Sequence, residues 1–201
     1  MKKVELEYPI GSTPLDPDEL DALIPDYIST QGELNSLERS NIADAYLWAE
    51  RTKLSDLLSA SFILSLHKRM FGQVWQWAGK QRKSNKNIGV SKERIMQELG
   101  VLLNDVEFWI QKRTFSNIEI AARFHHRLVY IHVFANGNGR HARLMTEVLL
   151  KTLGEEPFSW GSIQDENSQL ETSVPTRKKY IAALKAADDN DFEPLIKFVR
   201  T

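Results

Sequence analysis

The residues whose types and spacing can do chemistry lie between Ile131 and Leu144, in the stretch IHVFANGNGRHARL. Gly137 and Gly139 remove side chains where the backbone must come close to a ligand. The helix that starts there turns unpaired N–H groups and its positive dipole end toward the same spot, which makes a cradle for an anion. Arg140 sits in the first turn of that helix and Arg143 lies three residues on, so the two guanidinium groups share a face and can reach successive phosphates. Cations at a helix N-terminus oppose its dipole, and a bound polyphosphate supplies the compensating charge. His132 stands at the mouth of the cradle as a candidate general base, because imidazole accepts a proton near neutral pH. A phosphate cradle beside a base implies transfer of a group from a polyphosphate to a proton-bearing acceptor.

This order of residues resembles the signature of the Fic family, His-Pro-Phe-x-(Asp/Glu)-Gly-Asn-Gly-Arg-x-x-Arg. Here it reads His132-Val133-Phe134-Ala135-Asn136-Gly137-Asn138-Gly139-Arg140-His141-Ala142-Arg143. Trp77-Ala78-Gly79 and Tyr180-Ile181-Ala182-Ala183-Leu184 are also similar to the family, so the likeness runs from about residue 55 to the C-terminus. The whole chain, with Thr13-Pro14-Leu15-Asp16 and Gly32-Glu33-Leu34-Asn35, is similar to the subgroup called mobile mystery protein B, whose gene neighbour is a small helix-turn-helix protein. The resemblance implies a protein adenylyltransferase that moves AMP from ATP to a Ser, Thr or Tyr hydroxyl of a target protein. It makes His132 the base, lets Phe134 anchor the loop, and puts Gly137, Asn138 and Gly139 on the α- and β-phosphates. Arg140 and Arg143 then serve the outer phosphates, and Tyr180 lies against the nucleotide base.

Two positions depart from the pattern: Val133 replaces proline, and Asn136 replaces the acidic residue that ligates Mg²⁺. A neutral amide offers a hard cation one oxygen and no charge, so Mg²⁺ would rest mainly on the nucleotide. The family also implies a restraint, a glutamate on a separate helix that pairs with the second motif arginine, here Arg143. Glu38 is the candidate, since it interrupts an apolar stripe between Leu34 and Ile42 where a lone carboxylate is costly. Arg39 and Leu34 depart from the residues that usually surround that glutamate, whereas Glu33 is explained by a capping box. Two other readings stay open: γ-phosphoryl transfer on the same scaffold with the nucleotide reversed, and a silent protein-binding module in which Asn136 marks lost metal binding. His125 and His132 fall at i, i+7 but have no third metal ligand at a recognisable spacing.

The elements that must position these residues read as helices. Asp16, Pro17 and Glu19 open a short helix that Pro25 stops, and Thr30 with Glu33 opens a second toward Arg51. Leu58, Phe62, Leu66 and Met70 place a third helix over about 55–71, ended by Gly72. Segment 79–90 is polar with glycines near both ends and Ile88 and Val90 inside, so it is expected to form a small β-hairpin flap. Its residues Ser84, Asn85, Lys86, Asn87 and Ile88 are candidates to bind the target by β-augmentation. Ser91 caps a long helix to about Lys112, Ser116 or Asn117 caps the next to about Ile131, and further helices are expected near 140–153, 175–187 and 191–200. The fold class is therefore all-α, a Fic-type helical bundle with a hairpin flap. Residues 1–54 form an N-terminal arm and helices with the restraint, and 55–201 the catalytic domain.

Bulk properties bound the function classes. The 201 residues are 42% hydrophobic, enough for one sizeable core. Twenty-six basic and 27 acidic residues leave a net charge of −1, which gives no global attraction for nucleic acid or an anionic membrane. The absence of cysteine removes thiol nucleophiles and zinc fingers. With no apolar run of about 18 residues and no leader-like start, a cytoplasmic protein with no membrane partner and no direct nucleic-acid binding is expected.

Overall fold

The computed structural model describes residues 6, 8, 13–161 and 173–201. Among the described residues the elements are helical. They are α1 (Pro17–Leu20), α2 (Gln31–Ala49), α3 (Leu54–Leu57), α4 (Ala60–Phe71), α5 (Ile95–Lys112), α6 (Asn117–Ile131), α7 (Asn138–Thr152), α8 (Val174–Asp188) and α9 (Glu193–Val199). A 3₁₀ turn over Lys92–Arg94 leads into α5. Three helix starts act as expected: Asp16 with Glu19 and Thr30 with Glu33 form capping boxes, and Ser116 accepts from the Glu119 N–H, whereas Ser91 makes no side-chain cap and α5 starts from Arg94 after the 3₁₀ turn. The third helix is divided, because the Ser59 hydroxyl accepts from the Phe62 N–H and starts α4 afresh after α3.

α6 and α7 pack along each other, α5 packs on α6 and also touches α4, and α2 lies along α4. Ile63, Leu66, Met70, Leu99, Leu102, Phe124, Ile131, Phe134 and Met145 are fully or almost fully buried where these helices meet. The cluster continues through Leu34, Ala45 and Ala49 of α2, so the N-terminal helices share this core. A second cluster joins α8 and α9, through Tyr180, Leu195 and Phe198, to Ala121, Ala122 and Leu150 of α6 and α7.

The expected β-hairpin flap is not formed. Segment 79–90 is irregular, and its carbonyls at Ser84 and Val90 are taken by the Arg82 guanidinium rather than by a facing strand. The single antiparallel bridge among the described residues pairs Leu23 with Trp75 elsewhere. No helix of the described residues is long and apolar enough to cross a membrane.

Candidate nucleotide-transfer site

The site is the turn between α6 and α7, and its conformation follows from three residues. His132 ends α6 in the left-handed region, at φ 55° and ψ 62°. That swings the next residues away from the helix axis. Gly137 starts α7 at φ +76°, where a Cβ would meet Phe71 at 2.7 Å, so only glycine fits both the dihedral and the space. Asn138 ties the turn to itself: its Oδ1 accepts from the Phe134 N–H at 2.9 Å and its Nδ2 donates to the Phe134 carbonyl at 2.8 Å. Phe134 is fully buried, as expected of a loop anchor.

His132 is 5% exposed, and neither ring nitrogen has a hydrogen-bond partner among the described residues. Burial pushes its pKa down to about 4, helped by the charge of Arg82 and more weakly of Lys86. The Val129 carbonyl opposes this shift from a position outside hydrogen-bond geometry. The ring is thus a neutral acceptor over the physiological range. The first turn of α7 leaves the N–H groups of Asn138, Gly139 and Arg140 without intrahelical partners, aimed out of the helix end. At Gly139 a Cβ would meet only Arg143 Nη1, at 3.8 Å, so the backbone is open on that side.

Several expected contacts are placed differently. The Asn138 side chain is spent on the Phe134 backbone, so this residue can offer a phosphate its N–H but not its amide. Tyr180 is not presented to a ligand: its ring packs in the second core and its hydroxyl shares a 2.7 Å hydrogen bond with His125 Nε2. Burial raises the Tyr180 pKa to about 12. Glu38 is 4% exposed and does find a cation, but the partner is Arg140 rather than Arg143. Arg140 Nη1 donates to Oε2 at 2.5 Å, and Trp75 Nε1 donates to Oε1 at 2.8 Å. α2 runs beside α4 and brings Glu38 to the first motif arginine, a choice of partner that helical spacing alone does not fix.

Asn136 does not offer a prepared metal ligand. Its Oδ1 accepts from the Gly137 N–H at 2.6 Å and its Nδ2 donates to the Thr13 carbonyl at 3.3 Å, while no carboxylate belongs to the loop. Among the described residues no group of three or more His, Asp or Glu side chains could hold an ion. The protein groups of this turn therefore do not by themselves fit Mg²⁺.

Sequence reasoning passed over two buried residues that brace the turn. His67 on α4 accepts the Gly79 N–H at Nδ1, 3.0 Å away, which leaves Nε2–H to donate to the Asn136 carbonyl at 3.1 Å. It stacks on Phe134 with ring centroids 3.6 Å apart, and burial first, then the nearby His141, holds its pKa well below the usual value. Arg82 donates from Nε to the His132 carbonyl at 2.7 Å and from its own N–H to the Val133 carbonyl at 3.0 Å. A histidine on an apolar helix face and an arginine in a polar run carry no signal of such roles. Only Gly79 and Gly89 beside them, both at positive φ, mark close approaches.

The N-terminal segment lies over this assembly. Lys86 reaches Asp16 at 2.7 Å and Glu19 at 2.5 Å, and the Ser84 hydroxyl donates to Asp16 at 2.6 Å. Burial disfavours the Lys86 charge, but the bonds to Asp16 and Glu19 outweigh it and raise the pKa. Trp77 Nε1 donates to the Glu19 carbonyl at 3.0 Å. Of the candidate target-binding residues, Ser84 and Lys86 are thus engaged with α1, whereas Asn85, Asn87 and Ile88 are exposed.

The bundle thus holds a buried histidine, without a hydrogen-bond partner among the described residues, in the same turn as an open helix start that can accept an anion. Residues 57–150 match the Fic/DOC family. It is 29% identical over 171 residues to Protein adenylyltransferase Fic of Aedes aegypti, covering 83% of this chain and 32% of that protein. It is 31% identical over 156 residues to Protein adenylyltransferase fic-1 of Caenorhabditis elegans, covering 74% and 28%. The chain thus spans about a third of the length of the curated relatives it matches. The solved Fic-1 fragment from C. elegans superposes with a TM-score of 0.61 at 29% identity, covering 80% of this chain and 46% of that one. The BepC effector protein of Bartonella tribocorum, solved with bound AMPPNP, shares the fold at a TM-score of 0.66 and 16% identity, covering 92% and 97%.

Proposed function

We propose that this chain is a nucleotidyltransferase that moves AMP from ATP to a Ser, Thr or Tyr hydroxyl of another protein. The observation that carries this reading is the His132 ring, held neutral by burial and without a hydrogen-bond partner among the described residues, in the same turn as the open N–H groups that start α7. In the reaction a His132 ring nitrogen takes the proton of the acceptor hydroxyl. The hydroxyl oxygen forms a bond to the α-phosphorus, the bond from that phosphorus to the α–β bridging oxygen breaks, and pyrophosphate leaves. The N–H groups of Asn138, Gly139 and Arg140 stabilise the charge that builds on the phosphate oxygens, with Arg140 and Arg143 on the outer phosphates. Mg²⁺ would be held by the triphosphate alone, since the Asn136 Oδ1 already accepts from the Gly137 N–H.

Within the same reading, 55–201 is the catalytic part, and 1–54 carries the restraint. Glu38 acts there by neutralising Arg140, which cannot hold a phosphate while it is bound to a buried carboxylate. The exposed flap residues Asn85, Asn87 and Ile88 meet the target, the protein works in the cytoplasm, and a small helix-turn-helix protein encoded nearby is its partner. Incubation with ATP labelled on the α- or, in parallel, the γ-phosphate tests the reaction. Protein-bound α-label is expected, γ-label alone would assign a kinase-like transfer, and neither would assign a binding module.

A further inference from the structure

Arg82 is 3% exposed, although its charge is permanent. Its guanidinium donates to three carbonyls: to His132 at 2.7 Å, to Ser84 at 2.7 Å, and to Val90. Among the described residues no carboxylate touches the fork, and Glu19 and Glu93 act on it only through their field. A buried cation held by neutral carbonyls is an expensive way to close a loop that backbone pairing could close. The three acceptors have a common sense, since Ser84 enters the flap, Val90 leaves it, and His132 is the base itself. At Gly89, on the returning limb, a Cβ would stand 2.6 Å from the His132 Cβ and 3.1 Å from Arg82 Nη2. The flap therefore lies against the base with nothing wider than a glycine between them.

We propose that Arg82 is a positioning residue, which locks both limbs of the flap to the His132 turn and so fixes where an acceptor carried on the flap meets the base. This rests on the reading that the flap presents the acceptor. A lysine cannot replace the fork, because one ammonium cannot span three carbonyls set by two limbs and a turn.

The test uses the full chain as wild type, R82K and R82Q, with α-labelled ATP. It reads protein-bound AMP, AMP released to water, ATP affinity and amide exchange in 84–90. Both variants are expected to lose protein labelling by about ten- to a hundredfold, the scale of a misplaced reactant. Release of AMP to water, which needs no flap, should fall less, and ATP affinity should hold. Exchange in 84–90 should rise in both variants while α6 and α7 stay protected. An unchanged ratio of protein-bound to released AMP, or unchanged exchange in 84–90, would overturn the proposal. Absence of α-label transfer in the wild type would sink the parent reading instead, and flap exchange would still decide whether Arg82 holds the flap to the His132 turn.

Discussion

At the scale of single residues, the two glycines of the turn do different work, and two substitutions separate it. Gly137→Ala puts a Cβ 2.7 Å from the Phe71 ring at φ +76°, so the variant should lose about 1–3 kcal/mol of stability, seen as a lower denaturant midpoint. Gly139→Ala meets only Arg143 Nη1 at 3.8 Å, and alanine suits a helix better than glycine, so stability should hold or rise by up to about 1 kcal/mol. Its methyl group nevertheless stands where a phosphate approaches the open backbone, and calorimetry should show weakened ATP binding. An unimpaired ATP affinity in Gly139→Ala would contradict the cradle. The turn at Gly137 was legible in the sequence, because glycine there has one plain capacity, a backbone that can take a positive φ. Asn138 and Tyr180 were not, because their capacity is the same whether they face a ligand or the core. Only packing decides, and it turned Asn138 onto Phe134 and Tyr180 onto His125.

At the scale of elements, helix starts were legible because Asp16, Thr30 and Ser116 satisfy N–H groups within their own turn. The flap was misread as a hairpin because its glycines and β-branched residues suit a hairpin, whereas its own Arg82 takes its carbonyls and the carboxylates of Asp16 and Glu19 hold its Lys86. The same distinction governs α2. Its buried carboxylate was evident from the broken stripe, but the partner depends on how α2 docks, and docking selects Arg140. Glu38→Gly should therefore release Arg140, tighten ATP binding and increase labelling of protein. Trp75 loses its acceptor in that variant, so its fluorescence should change as well. Arg140→Ala added to Glu38→Gly should cancel the gains in binding and labelling. Unchanged ATP affinity and labelling in Glu38→Gly would remove the restraint from this helix.

At the scale of the whole molecule, the bundle buries histidines in neutral form. Burial pushes the pKa of His125 and His141 to about 3 and of His132 to about 4, and holds His67 well below 6.5. Each folded value lies below the unfolded one, so the unfolded chain binds protons first as pH falls. Their stability is fully present above about pH 6.5 and is lost as pH drops through the folded values. His125, His132 and His141 should each cost up to about 2 kcal/mol at about pH 5, and the thermal midpoint should fall clearly between about pH 7.5 and pH 5. Equal midpoints would contradict the burial of neutral rings. The same property defines the central claim, since the His132 ring that costs stability in acid is the one left free to accept a proton. The most direct measurement is transfer of label from α-phosphate-labelled ATP to protein by the wild type and by His132→Ala, with the fold of both checked by thermal melting. The account predicts labelling by the wild type, and none by a variant that melts within a few degrees of it, since the ring makes no hydrogen bond to lose among the described residues. Label transfer that persists in folded His132→Ala would contradict it.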